Sequence, residues 1–240
     1  MGLFEYVAVL TSINTGLGMA QLLQGLIRLI QHPEQAKPYW VHLLWVFYMF
    51  LFAVFWWWWE FNLNAIEEWT FGVYLFLIFY AVFVFLLCSI LFPTNFSGYD
   101  GFKGYFFAKR AWFFGLFCFA ELIGLGDSLI KGLDYFYSLG LRYFIATTLH
   151  VVFAAVAIFT QNEKFHGAIA VVAITYLVVS GFLDYETVGQ NNFTTWIDPL
   201  VAGNLDEGIV TLHVPTTFFG NYVSQNFSDL ILHEINVEGV

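Results

Sequence analysis

Hydrophobic residues run along this chain in six long stretches, each nearly free of charged side chains. The clearest of them are residues 41–59 and 71–92. An α-helix needs about 20 apolar residues to cross the ~30 Å hydrocarbon core of a bilayer. The pattern therefore predicts an all-α membrane protein, with a six-transmembrane-helix bundle formed by residues 1–184.

The helices predicted from this pattern have the bounds 4–30, 40–59, 70–92, 111–130, 139–160 and 165–183. Pro93 ends the third helix, because proline has no backbone N–H to donate. The stretch 94–105 contains three glycines and predicts the longest internal loop.

The C-terminal residues 185–240 are different in character, with seven acidic side chains and no Lys or Arg. Alternation of apolar and polar residues over 209–214 and 230–237 predicts two short strands. This part of the chain is therefore expected to form an acidic extramembrane C-terminal tail containing short β-strands.

Composition supports a membrane location, since 60% of the residues are hydrophobic, 22% aromatic and only 11% charged. Soluble domains carry about 25% charged residues. Positively charged residues are retained on the cytoplasmic side of a membrane. Six of the eight Lys and Arg residues lie in alternate connections: Arg28, Lys37, Lys103, Lys109, Arg110 and Lys164. This bias predicts a bacterial inner membrane protein with its N- and C-termini outside the cytoplasm.

Four consecutive tryptophans end the second helix, and indole rings favour the membrane interface. The expected interface anchors are Trp56, Trp57, Trp58 and Trp59.

Helix 1 carries two neighbouring rows of residues that suggest contact with protein or water. Small residues at helical spacing predict close helix packing, and they are Ser12, Gly16 and Ala20. Polar residues that could line a substrate path are Asn14, Gln21 and Gln24. A structural seam and a polar path both remain open.

Ionisable residues inside the fourth and fifth helices are the strongest candidates for a functional site, because such residues are costly in a membrane. Counted from the cytoplasmic ends, Glu121 and His150 each lie ten residues deep, roughly 15 Å at 1.5 Å per residue. Asp127 and Arg142 also lie at similar depths. Two polar pairs are expected, Glu121 with His150 and Asp127 with Arg142, acting either in transport or in fixing the helix register.

No catalytic motif or recognised metal-ligand spacing is present, so catalytic residues, a metal and a cofactor are not indicated. His42 and His166 could together ligate a haem or a metal, and His213 and His233 could bind a divalent cation. With a net charge of −10 and few basic residues, no nucleic-acid partner is expected.

Several aromatic patterns resemble those of a family of uncharacterised bacterial integral membrane proteins. The segments that carry the resemblance are residues 37–45, the tryptophans that end helix 2, and residues 68–71, 91–93 and 110–115. The resemblance covers about residues 4–183 and implies no activity. The acidic tail is not part of it.

Taken together, these patterns predict a non-enzymatic, aromatic-rich membrane protein of unknown function, an assembly or accessory subunit. Its expected partners are membrane lipids, a pigment, and other membrane subunits or itself as an oligomer. The alternatives are a small transporter or channel with a midplane Glu/His pair, and a haem- or chlorin-binding redox subunit.

Overall fold

The computed structural model describes residues 3–31, 37–66, 69–95, 98–192, 200–206, 209–214, 220, 223–224, 227–228 and 231. Within these ranges the chain is mostly helical, which confirms the all-α prediction in its coarse form. The α-helices are α1 (Leu3–Gln31), α2 (Trp40–Trp59), α3 (Phe71–Ser89), α4 (Gly101–Ile130), α5 (Leu133–Ser138), α6 (Gly140–Phe159) and α7 (Glu163–Asn192). A 3-10 helix, Glu60–Ala65, continues directly from α2.

The chain divides into two compact units, Met1–Val178 and Val179–Val240. In the first unit, α1 packs on α3, α3 on α4, and α4 on α6. The largest cluster of buried side chains is strongly aromatic, and the indole of Trp45 lies among Phe113, Phe114 and Phe117. Edge-to-face ring contacts of this kind stabilise a core beyond their buried area alone.

The second unit contains an antiparallel hairpin of β1 (Val201–Asp206) and β2 (Ile209–His213). The alternation at 209–214 predicted β2, whereas β1 was not predicted. Of the predicted strand 230–237, only Ile231 lies within the described residues, and it is helical.

The fourth predicted helix is ten residues longer than expected, because α4 begins at Gly101 and not at residue 111. The last five residues of the predicted loop 94–105 are therefore helical. Gly101 starts the helix with φ at +64°, and Gly132 follows the end of the helix with φ at +117°. Both values favour glycine, since a side chain at such positive φ is strained.

In the described part of the chain, six helices are long and apolar enough to cross a membrane, judged by length and composition. In each of these helices, between 22% and 44% of the most hydrophobic stretch of 18 residues is buried inside the protein. The remainder is an outer surface of large apolar side chains, such as Ile30, Phe71, Leu141 and Phe159, which are 74–82% exposed.

Candidate functional site

A buried cluster of three charged side chains lies where the ends of α2 and α4 meet. The Lys131 ammonium binds Asp127 Oδ2 at 2.6 Å and Glu60 Oε1 at 3.1 Å. The Lys131 side chain is 2% exposed, and each carboxylate side chain is 7% exposed. We refer to Glu60, Asp127 and Lys131 as the Lys131 cluster.

Local structure explains how these residues meet. Asp127 and Lys131 are four residues apart at the end of α4, so their side chains extend from the same helix face. Glu60 opens the 3-10 helix that follows the four tryptophans. The ammonium thus connects the ends of two helices that are far apart in sequence.

Burial by itself lowers the pKa of Lys131, because an ammonium ion loses its hydration. The negative charges of Asp127 and Glu60 outweigh this effect and raise the pKa above its usual value of 10.5. Lys131 is therefore charged. Its three N–H donors do not satisfy all of the carboxylate oxygens, since Glu60 Oε2 and Asp127 Oδ1 have no hydrogen-bond partner.

Polar groups of α3, α4 and α6 surround the cluster. The Tyr80 hydroxyl lies against Gly124, where a Cβ atom would be only 3.1 Å from it. One turn further along α4, Ser128 donates to the Gly124 carbonyl and lies 3.3 Å from the Tyr143 hydroxyl. Glycine at position 124 thus makes room for a tyrosine beside the charged cluster.

The structure brings Glu121 and His150 together, with His150 Nδ1 3.2 Å from Glu121 Oε1. Both side chains are about 15% exposed, and the His150 ring contacts Phe117 and Tyr176. The pair joins α4 to α6. Any functional role for the pair stays a prediction.

Asp127 is joined to Lys131 and not to the expected Arg142. Lys131 directly follows the last residue of α4, at the helix end that the sequence predicted. The spacing of four residues between Asp127 and Lys131 was the sequence signal for this pair.

His42 and His166 are both fully buried among aromatic rings, and each ring donates through Nε2 to a backbone carbonyl. The His42 acceptor is Leu91 O at 2.6 Å, and the His166 acceptor is Thr160 O at 3.1 Å. These bonds leave each Nδ1 buried and without a hydrogen-bond partner. Each histidine thus links its own helix to a backbone carbonyl outside that helix.

The described residues contain no group of three or more His, Cys, Asp or Glu side chains that could hold a metal ion. His213 is exposed on β2, and His233 lies outside the described residues. The expected pairing of these two histidines is therefore open.

The small residues of α1 do not all pack as expected. Ser12 accepts a hydrogen bond of 2.7 Å from the Trp57 indole, but nothing lies within 4 Å of a Cβ atom built on Gly16. Ala20 is half-buried. The close approach of α1 to α3 occurs instead at Gly18, where a Cβ would lie 3.3 Å from Cys88 Sγ.

The polar row of α1 faces in two directions. Asn14 is half-buried and donates to the Leu10 carbonyl of its own helix. Gln21 and Gln24 are exposed and line an open groove of about 550 Å³ between α1 and α3, together with Arg28 and Ser89.

The four consecutive tryptophans differ in how far their side chains are exposed. Trp57 and Trp58 are nearly half exposed, which suits an interface anchor. Trp56 is 2% exposed and packs edge-to-face on Tyr80 in the core. Trp59 is half-buried and stacks on Phe55.

Comparison with known proteins identifies a similarity that is confined to the C-terminal part of the chain. Residues 185–236 match the DnaA N-terminal domain family. This is the region that differs in charge and hydropathy from the six apolar helices.

Curated relatives support the match. The Chromosomal replication initiator protein DnaA of Ruegeria sp. (strain TM1040) is 68% identical over 54 residues, which are 22% of this chain and 12% of that protein. The same protein of Ruegeria pomeroyi is 65% identical over 54 residues, with the same coverage. In Jannaschia sp. (strain CCS1) the identity is 44% over 54 residues, 22% of this chain and 11% of that protein. This chain thus spans about an eighth of the length of the relatives that it matches.

No solved structure matches this chain.

The match corrects several predictions made from the sequence. The resemblance to an uncharacterised membrane-protein family is contradicted, because the similarity found is to a domain of a replication initiator. For the same reason, the predicted functions are wrong: an assembly or accessory subunit, a transporter or channel, and a redox subunit. The description as an oligomeric membrane protein of unknown function is wrong with them.

The predicted partners and localisation are also contradicted. The matched relatives are named as chromosomal replication initiators, so the exclusion of a nucleic-acid partner is contradicted. The chromosome of a bacterium lies in the cytoplasm. The predicted localisation in the inner membrane, with both termini outside, therefore conflicts with the similarity. The exclusion of nucleic acid rested on the net charge of −10 and the few basic residues, whereas the localisation rested on the distribution of Lys and Arg between the helices.

Proposed function

We propose that the C-terminal residues 185–240 act in the initiation of chromosome replication, as a separate module that follows a helical domain of residues 1–184. The observation that carries this proposal is the identity of 44–68% over 54 residues with replication initiators of several bacteria. The family match covers 52 contiguous residues, nearly the whole of the proposed module.

The charge of the module favours contact with DNA through a partner protein. Residues 185–240 carry seven acidic side chains and no Lys or Arg. Direct binding to the phosphate backbone depends on Lys and Arg side chains that displace counterions. A partner protein with a basic surface would attract the acidic module and would itself bind DNA.

We also propose that the helical domain is a bundle of six membrane-spanning helices. It is supported by six helices of sufficient length and hydropathy. It is further supported by the large apolar side chains on their outer faces. In water such surfaces would associate, whereas a bilayer covers them. The proposed replication role would then require residues 185–240 to lie on the side that faces the chromosome.

This orientation is opposite to the one that the basic residues predict. An even number of spans puts both chain ends on the same side, and six of the eight Lys and Arg residues then lie on the other side. The proposal therefore requires that the similarity, and not the charge bias, indicates the location of the tail.

A transplant tests the replication role. Residues 185–240 are inserted into the Ruegeria DnaA protein in place of its matching 54 residues, in a strain that depends on this copy. We expect chromosome replication to start and the strain to grow. A control carries the same residues in scrambled order and should not support growth. The replication role is excluded if the first chimera is stably produced but initiates no more often than the scrambled control.

Labelling of single cysteines tests the membrane location separately. In a background with Cys88 and Cys118 replaced by Ala, the reporter positions are Ser224→Cys in the tail and Gln161→Cys between α6 and α7. We expect Ser224→Cys to react only from the cytoplasm and Gln161→Cys only from outside. Equal reaction at both positions in intact cells would contradict the six-span arrangement, and exchanged sides would contradict the tail's access to the chromosome.

A further inference from the structure

The Lys131 cluster contains two acidic groups and one basic group, all of them deeply buried. Two carboxyl groups bind one ammonium group, at 2.6 and 3.1 Å from Nζ. If both carboxyl groups are ionised, the cluster has a net charge of −1. All three side chains are at least nine-tenths buried.

An excess charge at this depth is costly, because a buried ion without compensation loses its hydration and gains no partner. The two carboxylate oxygens that bind Lys131 are no farther apart than the sum of their distances to Nζ. Two carboxylates at such short range repel each other, and this repulsion favours the form in which one of them is protonated.

The remaining oxygens of both carboxyl groups are available for a proton. Glu60 Oε2 and Asp127 Oδ1 are buried and have no hydrogen-bond partner in the described part of the chain. Among the described residues, the ionisable groups that interact with the cluster from the other packed elements are Tyr80 of α3, Tyr135 of α5 and Tyr143 of α6. Each of these is neutral or negative, so they do not balance the excess charge.

We propose that the Lys131 cluster is a proton-binding site, in which Glu60 and Asp127 together hold one proton at neutral pH. The pair then carries a single negative charge that the ammonium of Lys131 neutralises. The proton belongs to the pair as a whole, as is usual for strongly interacting carboxyl groups.

This site links pH to the contact between two helix ends. Glu60 belongs to the 3-10 helix after α2, whereas Asp127 and Lys131 belong to the end of α4. When the proton leaves at alkaline pH, the two carboxylates repel each other across this contact. The cluster therefore holds the two elements together most firmly while it is protonated.

Infrared spectroscopy of the purified full-length chain tests the proposal directly. The C=O stretch of a protonated carboxyl group is separate from the carboxylate bands and moves in D₂O. We expect one such group per chain at neutral pH, lost in Glu60→Gln and in Asp127→Asn. Glu163→Gln, which changes an exposed carboxylate bound to Lys103, should keep it.

Three results would overturn the proposal. The first is a wild-type spectrum with no protonated carboxyl group at neutral pH. The second is a band that persists in Glu60→Gln but disappears in Glu121→Gln, which would assign the proton to the pair with His150. The third is stability that depends on Na⁺ at constant ionic strength, with no acid band, which would make the ligand a metal cation.

If the variants do not fold, a pH titration of the infrared band in the wild-type protein tests the proposal by itself. The acid band must disappear in a one-proton titration between neutral and alkaline pH. A band of constant intensity over this range excludes a titrating proton in the cluster.

Discussion

Helix α4 has a lysine near each end that binds a carboxylate at the same distance. One of these ion pairs is exposed, and the other is buried. Near its start, Lys103 Nζ lies 2.6 Å from Glu163 Oε2, with 59% and 35% of the side chains exposed. At its end, Lys131 Nζ lies 2.6 Å from Asp127 Oδ2, with 2% and 7% exposed. Distance alone therefore says little about the strength of an ion pair, whereas burial determines what its loss would cost.

The pair of Glu121 and His150 lies between these extremes, with both side chains about 15% exposed at a distance of 3.2 Å. Each of the three pairs includes a residue of α4, namely Lys103, Glu121 or Asp127. One helix thus provides a series in which the chemistry is similar and the exposure changes.

The largest effect is expected for Lys131→Met. Removal of the ammonium leaves Glu60 and Asp127 buried without a cation, and breaking a buried pair in this way costs about 3–5 kcal/mol. The free energy of unfolding, measured by denaturant titration in detergent with tryptophan fluorescence, should fall by this amount. A loss below about 1 kcal/mol would show that the cluster is hydrated like a surface pair.

Alkaline pH should have the next largest effect. Because the pKa of Lys131 is raised in the folded protein, its contribution to stability is complete below the usual value of 10.5. That contribution is lost as the pH rises above this value toward the higher folded-state pKa.

The measurement is the unfolding free energy of the wild type and of Lys131→Arg between about pH 9 and pH 12, since Arg stays charged over this range. Stability of the wild type should fall more steeply than that of the variant. Parallel curves would contradict the assigned role of the Lys131 ammonium.

Glu121→Gln should have an intermediate effect. The substitution keeps the shape of the side chain but removes the carboxylate that bonds His150 Nδ1, at a cost of about 1–2 kcal/mol for a partly buried pair. Thermal unfolding of the variant and of His150→Gln, together with the double variant, measures the coupling between them. Additive changes would mean that the two side chains do not interact in solution.

The smallest effect is expected for Lys103→Met. Solvent and salt screen this exposed pair, so its loss should not change the unfolding free energy measurably. Lys131→Met and Lys103→Met compared in the same titration form the matched test. An equal loss in both variants would remove burial as the explanation.

Part of this candidate site follows from counting residues along the helices. The depths of Glu121 and His150 placed them at the same level of neighbouring helices, and the structure puts them 3.2 Å apart. The same count matched Asp127 with Arg142, but Lys131 lies one helical turn away from Asp127 and binds it instead. Depth cannot separate two possible partners at one level, because the choice depends on the direction of each side chain.

A similar limit applies to α1, where a row of small residues and a row of polar residues lie side by side. Gly16 was expected in the contact, yet Gly18 faces Cys88 and Gly16 has open space around it. Adjacent faces of an apolar helix differ little in hydropathy. Only the packing partner, α3, decides which face turns inward.

The sequence alone determined the broad plan of this protein. Long apolar stretches of about 20 residues favour helices over strands, and the described residues are mostly helical. A change to acidic, polar residues marks the start of a different region. Its identity of up to 68% with replication initiators is also a property of the sequence, although no charge or hydropathy pattern revealed it.

Tertiary structure alone decided which polar groups lie buried together. Glu60 and Lys131 are 71 residues apart, and no local pattern connects them. They meet because the 3-10 helix extends α2 and because α4 continues to Ile130. Such long-range contacts depend on the packing of whole helices, whereas hydropathy and charge act residue by residue.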